Sequence, residues 1–299
     1  MLSSPAPRPS LDASLRDWLR KSVGEVELVR PLVGGITGEM LQLRRRDGGA
    51  DVVVRRWSTT GRAHPDLVRR EVAGLAALDA TDVPAPTLLD ADPDGTESGC
   101  PTTLTTFLPG RVELALTDLR GTVRAMAAML AHLHSLPAPP LEPCVQWGSG
   151  GVDWLEDGTD QGLLREVREL AARPADPMLA VLSHGDYQHF NVLWRDGAIS
   201  AVVDWPTAGL ADRGLDVGHC RLNLAVLHSA EAAMWFLEDY EQLTGERVDP
   251  AADIQRLLGF GPTWPEFIPL QVAGRTAVDG PGMAGRVRET LLATVRRAG

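Results

Sequence analysis

The chain has 299 residues, 44% of them apolar and 23% charged, with a net charge of −11; these are ordinary values for a folded globular protein. So acidic a balance argues against nonspecific binding to nucleic acid or anionic membrane, both of which need basic surface. No run approaches the roughly 20 apolar residues that a membrane helix requires.

The opening MLSSPAPRPS has no apolar core segment, so no secretory signal is expected, and residues 1–10 read as a disordered tail. Short β-like runs follow: LQLRRR at 41–46, β-branched DVVVRRW at 51–57, then TLLDAD and PTTLTTFL, with a turn around Asp92–Gly99 between the last two. Residues 64–79 interrupt them with Leu67, Val68, Glu71, Val72, Leu75 and Leu78 at helical spacing. The character changes near Pro109-Gly110. Residues 117–135 carry apolar side chains at helical spacing, with Thr117 as N-cap and Pro137 as stop. After a Pro/Gly-rich loop, two strands are expected around 190–195 and 199–204, joined by a turn at Asp196-Gly197, and helices dominate from Leu215 onward. The expected fold class is therefore α+β: a β-rich N-terminal lobe over 1–108 and a mostly helical C-terminal lobe over 109–299, with chemistry expected between them.

Cys100, Cys144 and Cys220 are too few and too scattered for a disulfide framework or a zinc site. A reducing, cytoplasmic location is expected. Of the 29 basic residues only Lys21 is a lysine, so any role that usually falls to lysine must fall to arginine.

The segment 181–218 carries most of the chemical information. It reads as an apolar strand end, a polar loop with His184, Asp186 and Asn191, and a hairpin that begins at Asn191 and ends at Asp204. Two oxygen-bearing side chains at opposite ends of one hairpin can converge on one point, and magnesium is held by one or two such ligands alongside phosphate oxygens. Phosphoryl transfer needs that metal and a carboxylate near the attacking hydroxyl. Asp186 is the expected catalytic base, and Asn191 and Asp204 are the expected metal ligands. His184 is expected to anchor the loop, and Asp216 to cap a helix or tie the loop.

His184-x-Asp186-x-x-x-x-Asn191 resembles the catalytic loop of the aminoglycoside phosphotransferase and choline kinase superfamily, whose spacing protein kinases share. Gly185, giving His-Gly-Asp, points to the small-molecule branch. Val203-Asp204-Trp205 resembles that branch's metal-binding segment, and AGLADRGLDVG matches the run that follows it. The resemblance implies a bilobal protein-kinase-like fold, ATP and Mg2+ as cofactors, and transfer of the γ-phosphate to a hydroxyl of a small molecule. His189 and Phe190 depart from the Pro and Gly common at those places.

The same resemblance assigns roles in the N-terminal half. Gly34, Gly35 and Gly38 would form a loop over the phosphates. Arg55 would stand for the usual strand lysine, with Arg56 as the alternative if the strand slips by one, and Glu71 would pair with it. The backbone of Thr106, Phe107 and Leu108 would meet the adenine edge. Acids and tryptophans at Trp147, Asp153, Trp154, Glu156, Asp157, Asp160, Trp264, Glu266 and Asp279 suit a cationic or sugar-like acceptor, although each alone reads as a solvated acid or a core aromatic. The acceptor and the oligomeric state stay open. Two other readings are a catalytically quiet nucleotide-binding module on the same fold, and a metal-dependent hydrolase using Asp186, Asp204 and Asp216.

Overall fold

The first element among the described residues is a helix that the sequence pattern did not single out. The computed structural model describes residues 11–32, 38–57, 65–145, 151–155, 161–174, 179–259, 261, 263–272 and 275–298. Helix α1 (Ala13–Val23) starts at Asp12, whose carboxylate accepts from the Leu15 N–H. Its apolar residues Leu15, Trp18 and Leu19 fall at i, i+3 and i+4, which places them on one face. That face packs on Leu41, Leu43, Val52, Val54 and Leu104 of the sheet beneath.

This sheet has five antiparallel strands: β1 (Val26–Leu32), β2 (Gly38–Arg45), β3 (Val52–Trp57), β4 (Leu88–Asp92) and β5 (Thr102–Thr106), in the order β1-β2-β3-β5-β4. Helix α2 (Pro65–Leu78) lies between β3 and β4 in sequence. The turn after β4 is built on Asp92, whose carboxylate accepts from the N–H groups of Thr96, Glu97 and Ser98. Lys21, on α1, is paired with Glu97 of that turn at 3.0 Å and stays largely exposed. These elements make one compact unit, residues 1–80 with 85–108.

The second unit, residues 81–84 with 109–299, is mostly helical. It holds α3 (Leu119–Ser135), α4 (Gln161–Ala171), α5 (Gly214–Leu227), α6 (Ala230–Thr244), α7 (Pro250–Leu257), α8 (Trp264–Val272) and α9 (Met283–Ala298). Asp118, not Thr117, caps α3, because its carboxylate accepts from the Gly121 N–H. Helix α5 runs through the middle of this unit, with every residue from Gly214 to Val226 buried.

Two short ribbons complete the second unit. In the first, β6 (Ala180–Ser183) pairs antiparallel with β9 (Gly209–Asp212), a strand too short to show any alternation in sequence. In the second, β7 (Val192–Arg195) pairs with β8 (Ala198–Val202). The turn between β7 and β8 has Asp196 at φ 52° and Gly197 at φ 78°. Positive φ at both central residues suits a tight turn whose twist matches the strands. Residues 189–191 form a short 3-10 turn before β7, so that strand starts two residues later than expected. No helix among the described residues is long and apolar enough to cross a membrane.

Candidate active site

In the second unit, β6 ends at Ser183 and hands the chain to a loop that is fixed from three sides. Asp216, on the first turn of α5, accepts from the backbone N–H of His184 and of Gly185, both at 2.7 Å. His134 of α3 stands 3.2 Å from the same carboxylate and is itself bonded to the Tyr240 hydroxyl. Burial opposes the charge on Asp216, but the hydrogen bond and charge of His134, followed by His184, outweigh it and hold the carboxyl below its usual range. Thr207 donates its hydroxyl to the His184 carbonyl, and the Tyr187 hydroxyl donates to the Met126 carbonyl on α3.

Gly185 sits at φ 80°, where a Cβ would lie 2.4 Å from the Thr207 carbonyl oxygen. Only glycine fits both the left-handed backbone and the space. The His184 ring anchors the loop: Nδ1 accepts from the Asp186 N–H, which leaves Nε2 to donate to the Val203 carbonyl at 2.9 Å.

Asp186 and Asn191 come together in this loop. The Asn191 amide nitrogen donates to the Asp186 backbone carbonyl at 2.8 Å and to Oδ2 at 2.9 Å. With its nitrogen committed, Asn191 offers only its Oδ1 oxygen to a cation. The other oxygen of Asp186, Oδ1, receives the Gln188 amide at 2.9 Å and stands 2.6 Å from Nε2 of His219. Burial works against the Asp186 carboxylate, but the hydrogen bond from His219 and the charge of Arg256 oppose that effect, and the carboxyl is held below its ordinary value.

Asp204 follows the hairpin directly. Val202 pairs with Val192, and the Val203 N–H donates to the Asn191 carbonyl at 2.9 Å, so the backbones of Asn191 and Asp204 leave the ribbon at the same end. Asp204 adopts φ 71°, a left-handed conformation rare for a residue with a Cβ. Such strain costs of order 1–3 kcal/mol and persists where surrounding structure enforces it, often at functional sites. One amide oxygen and one carboxylate make a hard-oxygen pair suited to magnesium, which keeps several waters or phosphate oxygens of its own. Among the described residues no group of three or more His, Cys, Asp or Glu side chains could hold a metal.

His189 and Phe190 lie within the same loop. His189 is buried against Phe190 and His228, and burial pushes its pKa down to about 3, so the ring is neutral. Trp264 is core, packed edge-on against Trp154. Asp279 is taken up by Arg286. Trp147, Glu156, Asp157 and Asp160 lie outside the described residues, as do Gly34 and Gly35.

The first unit holds the remaining candidates. Arg55 is buried on β3 with Nη1 3.3 Å from Glu71 of α2, while Arg56 points the other way and pairs with Asp12. Glu71 also accepts from the hydroxyl of Thr103, the residue opposite Arg55 on β5. The guanidinium of Arg55 lies 3.8 Å over the Trp57 ring. Gly38 opens β2, and a Cβ there would fall 2.3 Å from the Arg56 carbonyl oxygen, so strand packing alone requires glycine at that place. The N–H groups of Thr106 and Phe107 are committed to the carbonyls of Thr87 and Asp51, so among the described residues Leu108 is the one N–H donor of that run without such a bond.

Sequence reasoning did not reach two of the groups around Asp186. His219, on α5, and Arg256, on α7, are buried among apolar neighbours far downstream of the loop. A signal was present: GLDVGHCRLNLAVL carries Asp216, His219, Arg221 and Asn223 among apolar residues, and a buried polar side chain needs a partner.

Residues 29–260, well over half of the chain, match the family model described as the phosphotransferase enzyme family, APH. The chain belongs to this family. No curated protein sequence matches it. Solved structures with the same fold include a Ralstonia eutropha JMP134 protein classed with the aminoglycoside phosphotransferases, 18% identical with a TM-score of 0.61, the match covering 95% of this chain and 98% of that one. A macrolide 2′-phosphotransferase from Brachybacterium faecium is 22% identical with a TM-score of 0.55, over 95% and 97% of the two chains. A mutant of the aminoglycoside phosphotransferase APH(4)-Ia, solved in ternary complex with AMP-PNP and hygromycin B, is 17% identical with a TM-score of 0.58, over 96% and 99%. Identities this low establish the protein-kinase-like fold of these phosphotransferases, with its β-sheet N-terminal part and helical C-terminal part.

Proposed function

We propose that this phosphotransferase family member moves the γ-phosphoryl group of ATP to a hydroxyl of a small molecule, with Asp186 as the catalytic base. One observation carries the reading. Asp186 and Asn191 are locked together in a loop clamped by Asp216, with the strained Asp204 one residue beyond the carbonyl-bonded Val203.

In this reading Asp186 Oδ2 orients the acceptor hydroxyl and takes its proton as the oxygen attacks phosphorus. Asn191 Oδ1 and the Asp204 carboxylate would hold magnesium, which when bound neutralises phosphate charge. Arg55, steadied by Glu71 and Thr103, would take the phosphate-gripping role of the absent lysine. Arginine suits that role because it stays charged and offers a planar fork of donors. Leu108 would donate its N–H to the adenine edge.

The acceptor class rests on less. AMP-PNP with hygromycin B in one relative, and the macrolide specificity of another, support ATP as donor and an antibiotic or amino alcohol as acceptor. The net charge of −11 favours an amine-bearing acceptor. The test is ADP release by purified protein with Mg2+ and ATP against hygromycin B, a macrolide, streptomycin and small amino alcohols. Turnover with at least one acceptor is expected, falling by about 10²–10⁴ in Asp186→Asn. Wild-type turnover in that variant would refute Asp186 as base, and binding of ATP without turnover on any acceptor would favour a quiet module.

A further inference from the structure

We propose that Arg256 and His219 form a positioning relay behind Asp186 that turns its carboxylate so that Oδ2 meets the acceptor. The proposal rests on the reading of Asp186 as base and adds two residues to that site. It begins with Arg256, a buried residue on α7. Its Nε–H donates to Nδ1 of His219 at 3.1 Å, and its Nη2 donates to the Gly185 carbonyl at 2.8 Å. A guanidinium does not give up its proton in a protein, and it has no acceptor. Nδ1 of His219 must therefore carry the lone pair, and the ring proton sits on Nε2.

That nitrogen lies 2.6 Å from Asp186 Oδ1. The Asn223 amide, 3.4 Å from the same nitrogen, donates instead to the His219 backbone carbonyl at 3.0 Å. Burial and the charge of Arg256 both push the His219 pKa down, in keeping with a neutral ring. His219 is thus a fixed neutral donor. It neither receives nor releases a proton during the reaction.

The consequence lies in how the two carboxylate oxygens are used. Oδ1 is occupied by His219 and by Gln188, whereas among the described residues Oδ2 receives the Asn191 amide alone. A carboxylate oxygen has two acceptor sites, so Oδ2 keeps one for the acceptor hydroxyl. As that hydroxyl oxygen bonds to phosphorus, its proton passes to Oδ2, and the ADP oxygen leaves with the electron pair of the broken P–O bond. Arg256 also holds the carbonyl just before the base, so one guanidinium fixes both the backbone and the side chain of this position. The fold makes room for it: a Cβ on Gly218 of α5 would lie 2.8 Å from the Arg256 Cβ.

The relay can be tested without knowing the acceptor. Side-chain 15N–1H correlation on histidine-labelled protein at pH 7, with the His219 signal identified by its loss in His219→Gln, should show a neutral ring protonated on Nε2. A ring protonated on Nδ1, or on both nitrogens, overturns the relay whatever the turnover. The second measurement is MgATP hydrolysis with water as acceptor. A glutamine amide nitrogen reaches the place of Nε2, whereas an asparagine nitrogen reaches only that of Nδ1. His219→Asn and His219→Met should lower kcat by about 10–100-fold, the range expected from a misplaced reacting group, with KM for MgATP unchanged. His219→Gln should recover most of the loss. Equal rates in all three folded variants would overturn the proposal. Asp186→Asn in the same assay separates the two ideas: if it hydrolyses ATP like wild type, the base assignment fails, and if it is inactive while every His219 variant is active, only the relay fails.

Discussion

At the scale of single residues, the loop proposed to carry the chemistry is held in left-handed backbone at Gly185 and Asp204. Gly185 is the sharpest case, since its φ of 80° and the 2.4 Å approach to the Thr207 carbonyl exclude any Cβ. Gly185→Ala is expected to cost about 1–3 kcal/mol from backbone strain alone and to depress turnover further by displacing Asp186. Urea unfolding beside MgATP turnover checks both, and an alanine variant of normal stability would show that the loop relaxes freely. That Asp186 and Asn191 share one loop, with Asp204 at the far end of the hairpin, was legible in the sequence because that spacing is local. Arg55 over Arg56 was legible from strand alternation, and Glu71 and Thr103 now explain why Arg55 is the buried one. His219 and Arg256 were not legible, since no local pattern relates a loop to residues on two later helices.

At the scale of elements, α5 organises the second unit from its buried interior. Arg221 there is fully buried, ion-paired with Asp253 of α7 and bonded to the Ala233 carbonyl and the Thr294 hydroxyl. Arg221→Met should destabilise the protein by roughly 3–5 kcal/mol because it leaves Asp253 buried and unpaired. Adding Asp253→Leu should recover most of that loss. A double variant no more stable than the single one, by urea titration, would mean that packing and not charge sets the cost. Asp216, at the start of α5, predicts a pH effect. Its folded-state pKa is depressed, so its contribution is complete above the unfolded value near 4 and disappears as pH falls through the folded value. Asp216→Asn should cost about 3 kcal/mol at pH 7, and the gap to wild type should narrow below about pH 4. A gap constant with pH would rule out the charge as its cause. The elements themselves were mostly readable: β2, β3, α2, β4, β5, α3 and the β7–β8 hairpin follow from periodicity and turn residues. Helix α1 was passed over beside a Pro- and Ser-rich opening. Strand β9 is four residues long, and its partner β6 is too distant in sequence for any window to join them.

At the scale of the whole molecule, the order of a β-sheet unit followed by a helical unit was legible as a change in hydrophobic period near Pro109. The acceptor is not written at this scale beyond its expected charge. A net charge of −11 should draw a polycationic acceptor and repel ATP. If hygromycin B is turned over, its KM should rise as ionic strength goes from about 0.05 to 0.5 M, while KM for MgATP stays level or falls. A KM for hygromycin B indifferent to salt would point to recognition by shape alone.

The Lys21–Glu97 pair has a practical corollary. Because Lys21 is the only side-chain amine and lies on the exposed face of α1, coupling chemistry directed at lysine would tether the enzyme through that one helix. With Arg55 in the phosphate-gripping role proposed for it, lysine-directed nucleotide affinity labels would find nothing to acylate there, so a failed labelling experiment on this enzyme would carry no information about whether it binds ATP.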